Sequence, residues 1–286
     1  MHNYPNFIPV NLSLRSQIHN VVMESKSSIS AQTFANIYLF REKYGYKICR
    51  HENALLITGA ENGESFFSVI GNIPPQNVMH ELLEKYDYWK NITENQLYKT
   101  VSIAEDRDNF EYLYLRSDLV DLPGKSFQKK RNLINIFAKN YKQEECEQKE
   151  LNASTVRDAL RILDEWKFLK GLNGDYHSAK EALELNSELE LCGLVFYVCG
   201  VPVAYCQGEL LADNRSFAVH FEKAIDSYKG IYQYINQEFA KSLPENVVYI
   251  NREQDLGDKG LRQAKMTYRP ADFVKLFSSR ASTKAG

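Results

Sequence analysis

Residues 216–243 read "SFAVHFEKAIDSYKGIYQYINQEFAKSL". The first nine form a strand-like apolar run that ends in the charged pair Glu222-Lys223. The last thirteen place Ile231, Tyr234, Ile235 and Phe239 on one helical face. Between them, "IDSYKG" carries turn chemistry and a single glycine, Gly230. A strand that feeds almost directly into an amphipathic helix is the repeating joint of an α/β chain.

Working outward, the same grammar continues. "LCGLVFYVCGVPVAY" (residues 191–205) is the longest apolar run. It is too short to span a bilayer and is broken by Gly200 and Pro202, so it reads as two strands turning at Cys199-Gly200. "STVRDALRILDEWKFL" and "SAKEALELNSEL" read as helices, the first with Val156, Leu160, Leu163, Trp166 and Leu169 at helical spacing. "NVVYINRE" reads as a strand and "DKGLRQAKMTY" as a short helix. In the first half, "YKICRHENALLITGAENGESFFSVIG" gives three strands with turns at Glu52-Asn53 and Glu61-Asn62-Gly63. "PPQNVMHELLEKYDYW" follows as a helix opened by proline.

The two halves share this element order. They also share a nine-residue pattern, "YLRSDLVDL" from Tyr114 and "YRPADFVKL" from Tyr268, at an offset that carries Gln76 onto Gly230. The expected organisation is therefore two copies of one α/β unit: residues 1–123, a connecting basic helix and strand over 124–150, and 151–286.

The 286 residues carry a net charge of −2, which leaves no global field for nucleic acid and requires any such partner to use a local basic patch. The five cysteines (Cys49, Cys146, Cys192, Cys199, Cys206) include no CxxC pair, and the six histidines show no metal spacing, so no metal is expected. "MHNYPNFIPV" lacks the cationic start and apolar stretch of a signal peptide, and a cytoplasmic location without a transmembrane segment is expected.

Three segments carry a resemblance: "YLYLRSDLVDLPGKSFQKKRNLINIF", "VHFEKAIDSYKGIYQYINQEF" and "YINREQDLGDKGLRQAKMTYRP". In this order they are similar to an uncharacterised bacterial family related to the C-terminal domain of phosphatidylglycerol lysyltransferase. The resemblance covers essentially the whole chain. It implies two tandem GNAT-like (acyl-CoA N-acyltransferase) domains with mixed central sheets, akin to Fem-type peptidyltransferases. It also implies acyl or aminoacyl transfer from acyl-CoA or aminoacyl-tRNA to an amine or hydroxyl acceptor, with tRNA and a peripheral membrane surface as partners. One position departs from the pattern: Gln128 stands where a histidine is expected, which puts a proton-transfer role there in doubt.

In a GNAT-like domain the sheet opens between the fourth and fifth strands, and the start of the next helix holds the donor's pyrophosphate. Here that place is Tyr228, Lys229 and Gly230; the other reading is a plain capped helix. At the strand end Glu222 fits a general base or an amine ligand and Lys223 a substrate contact; the other reading is an exposed ion pair between them. Asn251, Arg252, Glu253 and Asp255 fall at the carboxyl end of the next strand, where open α/β sheets place ligands. Arg262 and Lys265 share a face of the last helix. These six are either a substrate site or an ion-pair network that locks that helix to the sheet. Tyr268 fits a general acid toward the leaving group, and Glu253 a catalytic carboxylate. Lys130, Arg131 and Asn132 are either a solvated helix face or a basic wall for an anionic ligand. The rival to a transferase is a non-catalytic scaffold that binds an anionic ligand in the interdomain cleft.

Overall fold

The computed structural model describes residues 1–97, 102–170 and 175–280. In the first half lie β1 (Ile8–Pro9), β2 (Lys47–His51), β3 (Ala54–Glu61), β4 (Glu64–Gly71), β5 (Tyr88–Ile92), β6 (Ala104–Glu105) and β7 (Glu111–Leu115). The second half adds β8 (Cys146–Glu150), β9 (Cys192–Val198), β10 (Val201–Leu210), β11 (Ser216–Ala224), β12 (Tyr249–Asn251), β13 (Asp272–Val274) and β14 (Phe277–Arg280). Helices α1 (Arg15–Ser25), α2 (Phe34–Leu39), α3 (Arg41–Tyr44), α4 (Gln76–Lys85) and α5 (Arg116–Asp121) precede the midpoint. After them come α6 (Gln128–Asn140), α7 (Val156–Lys170), α8 (Tyr176–Glu184), α9 (Ile231–Ser242) and α10 (Lys259–Met266).

One sheet runs β1-β2-β3-β4-β5-β14-β6 and the other β8-β9-β10-β11-β12-β7-β13. Position for position the two orders coincide, and each contains one parallel pair, β4 with β5 and β11 with β12. A parallel pair needs a crossover. α4 and α9 supply it, so the strand-to-helix joint read from the sequence is the centre of each sheet.

The sixth position of each sheet is filled by a strand from the other end of the chain. β7 sits between β12 and β13, and β14 between β5 and β6. The sheets thus exchange strands across the 124–150 connector, which forms α6 and β8. The largest core spans both halves: Ile18, Phe34, Ile37 and Leu55 pack with Ala159, Leu163, Tyr205 and Phe221.

Two expectations are corrected. The nine-residue match is not a structural repeat. Its first copy runs from β7 into α5, whereas its second leaves α10, turns at a left-handed Arg269 (φ 56°) and enters β13. By sheet position the counterpart of β7 is β14. The helix expected through residue 89 ends at Lys85; Tyr88 opens β5, and Trp89 is fully buried in the sheet. The turns hold as read: Cys199 and Gly200 both take positive φ (49° and 75°) between β9 and β10.

Candidate active site

The ladder between β11 and β12 ends at Ala218 opposite Asn251. Beyond it the strands diverge and side chains span the gap. Arg252 Nη2 donates to Glu222 Oε1 at 2.8 Å. His220, on β11, lies between Glu253 (Nδ1, 2.7 Å) and Glu209 of β10 (Nε2, 2.9 Å). Asn236 of α9 donates to the second Glu222 oxygen at 3.3 Å, and the Cys206 thiol faces that oxygen at 3.9 Å. Burial holds the Cys206 thiol well above its ordinary value.

Tyr268 closes one side of this cluster. Its ring lies 5.3 Å from the Arg252 guanidinium and 3.7 Å from Lys130 Nζ. Burial pushes its hydroxyl up to about 12, so it is a neutral hydrogen-bond donor at neutral pH. Lys130 reaches over from α6 and donates to Thr267 Oγ1 at 2.8 Å. Burial, helped by the Arg252 charge, lowers Lys130 to about 8.

The other charges of the 250–270 stretch do different work. Asp255 is fully buried and accepts from Arg262 Nε (2.9 Å) and Nη2 (2.6 Å), from Arg107 (3.3 Å), from the Tyr112 hydroxyl and from the Gly257 N–H (3.0 Å). Burial alone would raise this carboxyl; the donors outweigh it and hold it at about 2. Lys265 Nζ donates to the carbonyls of Arg252 (2.6 Å), Glu253 (3.1 Å) and Gln254, and burial lowers it to about 8. Asn251 donates to Glu111 (2.6 Å) and to the Ser28 carbonyl (3.2 Å). α10 has no buried residue of its own, so this network is what fastens it to the sheet. The stretch therefore divides. Arg252 and Tyr268 face the gap, whereas Asp255, Arg262, Lys265 and Asn251 build the frame.

Arg131, Asn132 and Lys223 do not join the cluster. Arg131 donates to the carbonyls of Leu122 and Gly124 and to Gln128 Oε1. Asn132 accepts from Gln128 Nε2 at 2.8 Å on the exposed side of α6. Lys223 pairs with Asp175 at 2.7 Å and lies over Trp166. His220, Glu209, Asn236 and Cys206 were not singled out from sequence.

At the start of α9, Tyr228 packs on Tyr141 (5.3 Å between rings) and Lys229 is exposed. Gly230 has φ 90°, and a Cβ there would lie 2.2 Å from the Leu133 carbonyl oxygen of α6. Close approach of α6 is thus a packing reason for the glycine. Gly230→Ala should lower stability by about 2–3 kcal/mol, from left-handed strain and displacement of α6. A denaturation midpoint equal to that of the unmodified protein would contradict this packing account.

The equivalent gap in the first sheet is closed differently. Pairing of β4 with β5 ends at Phe67 opposite Trp89. The Gln96 amide then donates to the free carbonyls of Val69 (3.1 Å) and Gly71 (3.0 Å). A neutral amide seals the first gap; acid and base bridge the second. Among the described residues no group of three His, Cys, Asp or Glu is arranged to hold a metal, and no helix is long and apolar enough to cross a membrane.

Comparison with known proteins agrees with the fold. The family model "Phosphatidylglycerol lysyltransferase, C-terminal" matches residues 23–279. A conserved protein of unknown function from Bacteroides thetaiotaomicron superposes with a TM-score of 0.86 at 29% identity, over 96% of this chain and 99% of that one. L-PGS from Bacillus licheniformis gives 0.64 at 12% identity, over 100% and 95%. A tandem GNAT protein of the clavulanic acid pathway gives 0.50 at 6% identity, over 97% and 98%. The last two show the fold alone: two tandem GNAT-like units with mixed sheets. An uncharacterised protein of Mycoplasmoides gallisepticum is 27% identical over 192 residues, which span 63% of this chain and 58% of that relative.

Proposed function

The chain belongs to the phosphatidylglycerol lysyltransferase C-terminal family, and from that membership we propose that it moves an aminoacyl group from aminoacyl-tRNA to a hydroxyl or amine acceptor at the gap in its second sheet. Family and fold support a transferase of the acyl or aminoacyl class at the coarse level. The observation that carries the finer reading is the Glu222–Arg252 pair flanked by Tyr268 and Lys130, where the first sheet has the Gln96 amide.

The packing and charge of α6 support this choice of donor. A coenzyme A pyrophosphate needs the free N–H groups of a helix start, and the Leu133 carbonyl packs against Gly230 there. The exposed Lys125, Lys129, Lys139 and Lys142, on and beside α6, offer a tRNA backbone the local basic surface that a net charge of −2 does not. An anionic lipid headgroup is the acceptor class that the family name carries, and peripheral contact with a membrane goes with it.

In this reading Glu222 takes the acceptor's proton as its oxygen or nitrogen attacks the ester carbon. Arg252 stabilises the charge that develops on the carbonyl oxygen. The ester C–O bond breaks, and the departing ribose oxygen receives a proton from the Tyr268 hydroxyl. Solvent exchange restores both groups, so no covalent enzyme intermediate forms. Arg252→Ala should lower the transfer rate about 10²-fold, with α10 still fastened by Asp255 and Lys265.

The test supplies two donors, radiolabelled lysyl-tRNA and acetyl-CoA, with phosphatidylglycerol vesicles as acceptor. Label should reach the lipid fraction from the tRNA, and calorimetry with acetyl-CoA should be flat to high micromolar concentration. Saturable acetyl-CoA binding overturns the choice of donor. Binding of neither donor leaves the non-catalytic scaffold.

A further inference from the structure

Gln207 of β10 faces Phe221, and the next residue, Gly208, faces Val219. His220 is therefore an extra residue, a bulge, at the point where β11 parts from β12. Bulges re-aim a side chain away from the regular pleat. This one delivers the ring, 2% exposed, to two carboxylates on either side of it: Glu209 from β10 and Glu253 from beyond β12. Glu253 directly follows Arg252 in the chain and has φ 58°, a left-handed backbone that a non-glycine residue keeps only when held. It is held three ways. Its carboxylate accepts from His220 and from Asn36 of α2 (3.3 Å), its N–H donates to Asn251 Oδ1 (2.9 Å), and its carbonyl accepts from Lys265.

We propose that His220 is a positioning residue: clamped between Glu209 and Glu253, it fixes the left-handed turn at Glu253 and so aims the Arg252 guanidinium across the gap at Glu222. Its functional meaning rests on the transferase reading; its geometry does not. A neutral amide in place of the ring carries both its donors on one nitrogen and turns an acceptor oxygen toward the far carboxylate, so it cannot bridge the two acids. The charged groups around the ring are Glu209 and Glu253, with Arg252, Lys265 and the buried Glu111 behind Glu253. Burial alone would strip the imidazole of its proton; the two carboxylates outweigh it and hold it at about 10.

The test is a side-chain NMR titration of the full chain that follows the His220 ring and the Arg252 Nη–H that donates to Glu222. In the unmodified protein His220 should stay protonated beyond pH 8, with Arg252 Nη–H protected from exchange until the ring titrates. In Glu209→Gln one carboxylate is gone. The midpoint should fall by roughly 1–2 pH units, and Arg252 should lose protection at that same lower pH. In His220→Gln, Arg252 should be unprotected throughout, and a crystal structure should show its contact with Glu222 opened. An unchanged Arg252 signal in either variant, or a His220 midpoint near 6.5 in the unmodified chain, overturns the proposal. If neither variant folds, the unmodified titration decides, because Arg252 protection must track His220. A protein without transfer activity would remove the functional reading and leave this result standing.

Discussion

Asp255→Ala should lose about 3–5 kcal/mol of folding stability, the range for removing one partner of a buried charge network. The side chain is fully buried and collects donors from Arg262, Arg107, Tyr112 and the Gly257 N–H. Without it, Arg262 keeps only the exposed Asp108, Arg107 and Tyr112 point at an empty acceptor, and α10 has no apolar face to fall back on. The melting temperature should drop by roughly 10 °C, and α10 should exchange amide protons before the rest of the chain does. Acid should mimic the substitution in part. Asp255 is held at about 2 against an ordinary 3.8, so it contributes roughly 2 kcal/mol above pH 4. That contribution disappears as the pH falls from about 4 through 2, because the unfolded chain takes up the proton first. The variant should therefore lack this acid limb. An Asp255→Ala chain as stable as its parent, or with the same acid limb, would show that the network holds nothing.

Much of the architecture was legible because its signals are local. The turns at Glu52-Asn53 and Cys199-Gly200, and the joint from β11 into α9, are written in adjacent residues. The strand exchange was not. β7 looks like any buried strand, and whether it joins the first or the second sheet is decided by pairing with β12, well over a hundred residues away. The nine-residue echo at Tyr114 and Tyr268 misled for the same reason, since composition does not say whether an aspartate will sit in a helix (Asp118) or a strand (Asp272).

The candidate site was legible in residue type but not in partition. Lys130 and Arg131 are neighbours on α6, and roughly 100° of helical rotation sends one over Tyr268 and the other back to the Leu122 carbonyl. Arg131, Glu222 and Arg252 were expected to converge from three separate segments; Glu222 and Arg252 meet, with Tyr268 of the same 250–270 stretch beside them, whereas Arg131 turns back to its own loop. Asp255, Arg262 and Lys265, equally charged, prove to be the ion-pair network that locks the last helix. His220 escaped notice because a bulge leaves no mark in the residue pattern.

The interface between the two halves makes the second large prediction. Glu111, at the start of β7, is fully buried, and among the described residues no ion pair holds it. Its carboxylate instead accepts from the Ser30 N–H (2.9 Å), the Ser30 hydroxyl (2.8 Å), the Ala31 N–H (3.2 Å), Asn251 Nδ2 (2.6 Å) and Gln254 Nε2 (2.7 Å). Ser30 and Ala31 belong to the first half, Asn251 and Gln254 to the frame of the candidate site. Glu111→Ala strands all five donors in the buried interface and should cost about 4 kcal/mol. Glu111→Gln keeps the shape but turns an NH2 toward one set of donors, and should cost about 2 kcal/mol. In both variants amide exchange should rise together at residues 30–31 and 251–254, because a single carboxylate joins them. The response to acid runs opposite to that of Asp255. Burial raises the Glu111 carboxyl above its ordinary value, against the pull of Ser30 and Asn251. Its contribution is therefore complete below the unfolded value and declines as the pH rises through the folded one. The stability gap between the parent and Glu111→Gln should accordingly be wider at acid pH than at neutral. A gap that narrows on acidification, or exchange that rises on one side only, would mean that the carboxylate does not bind the two halves together.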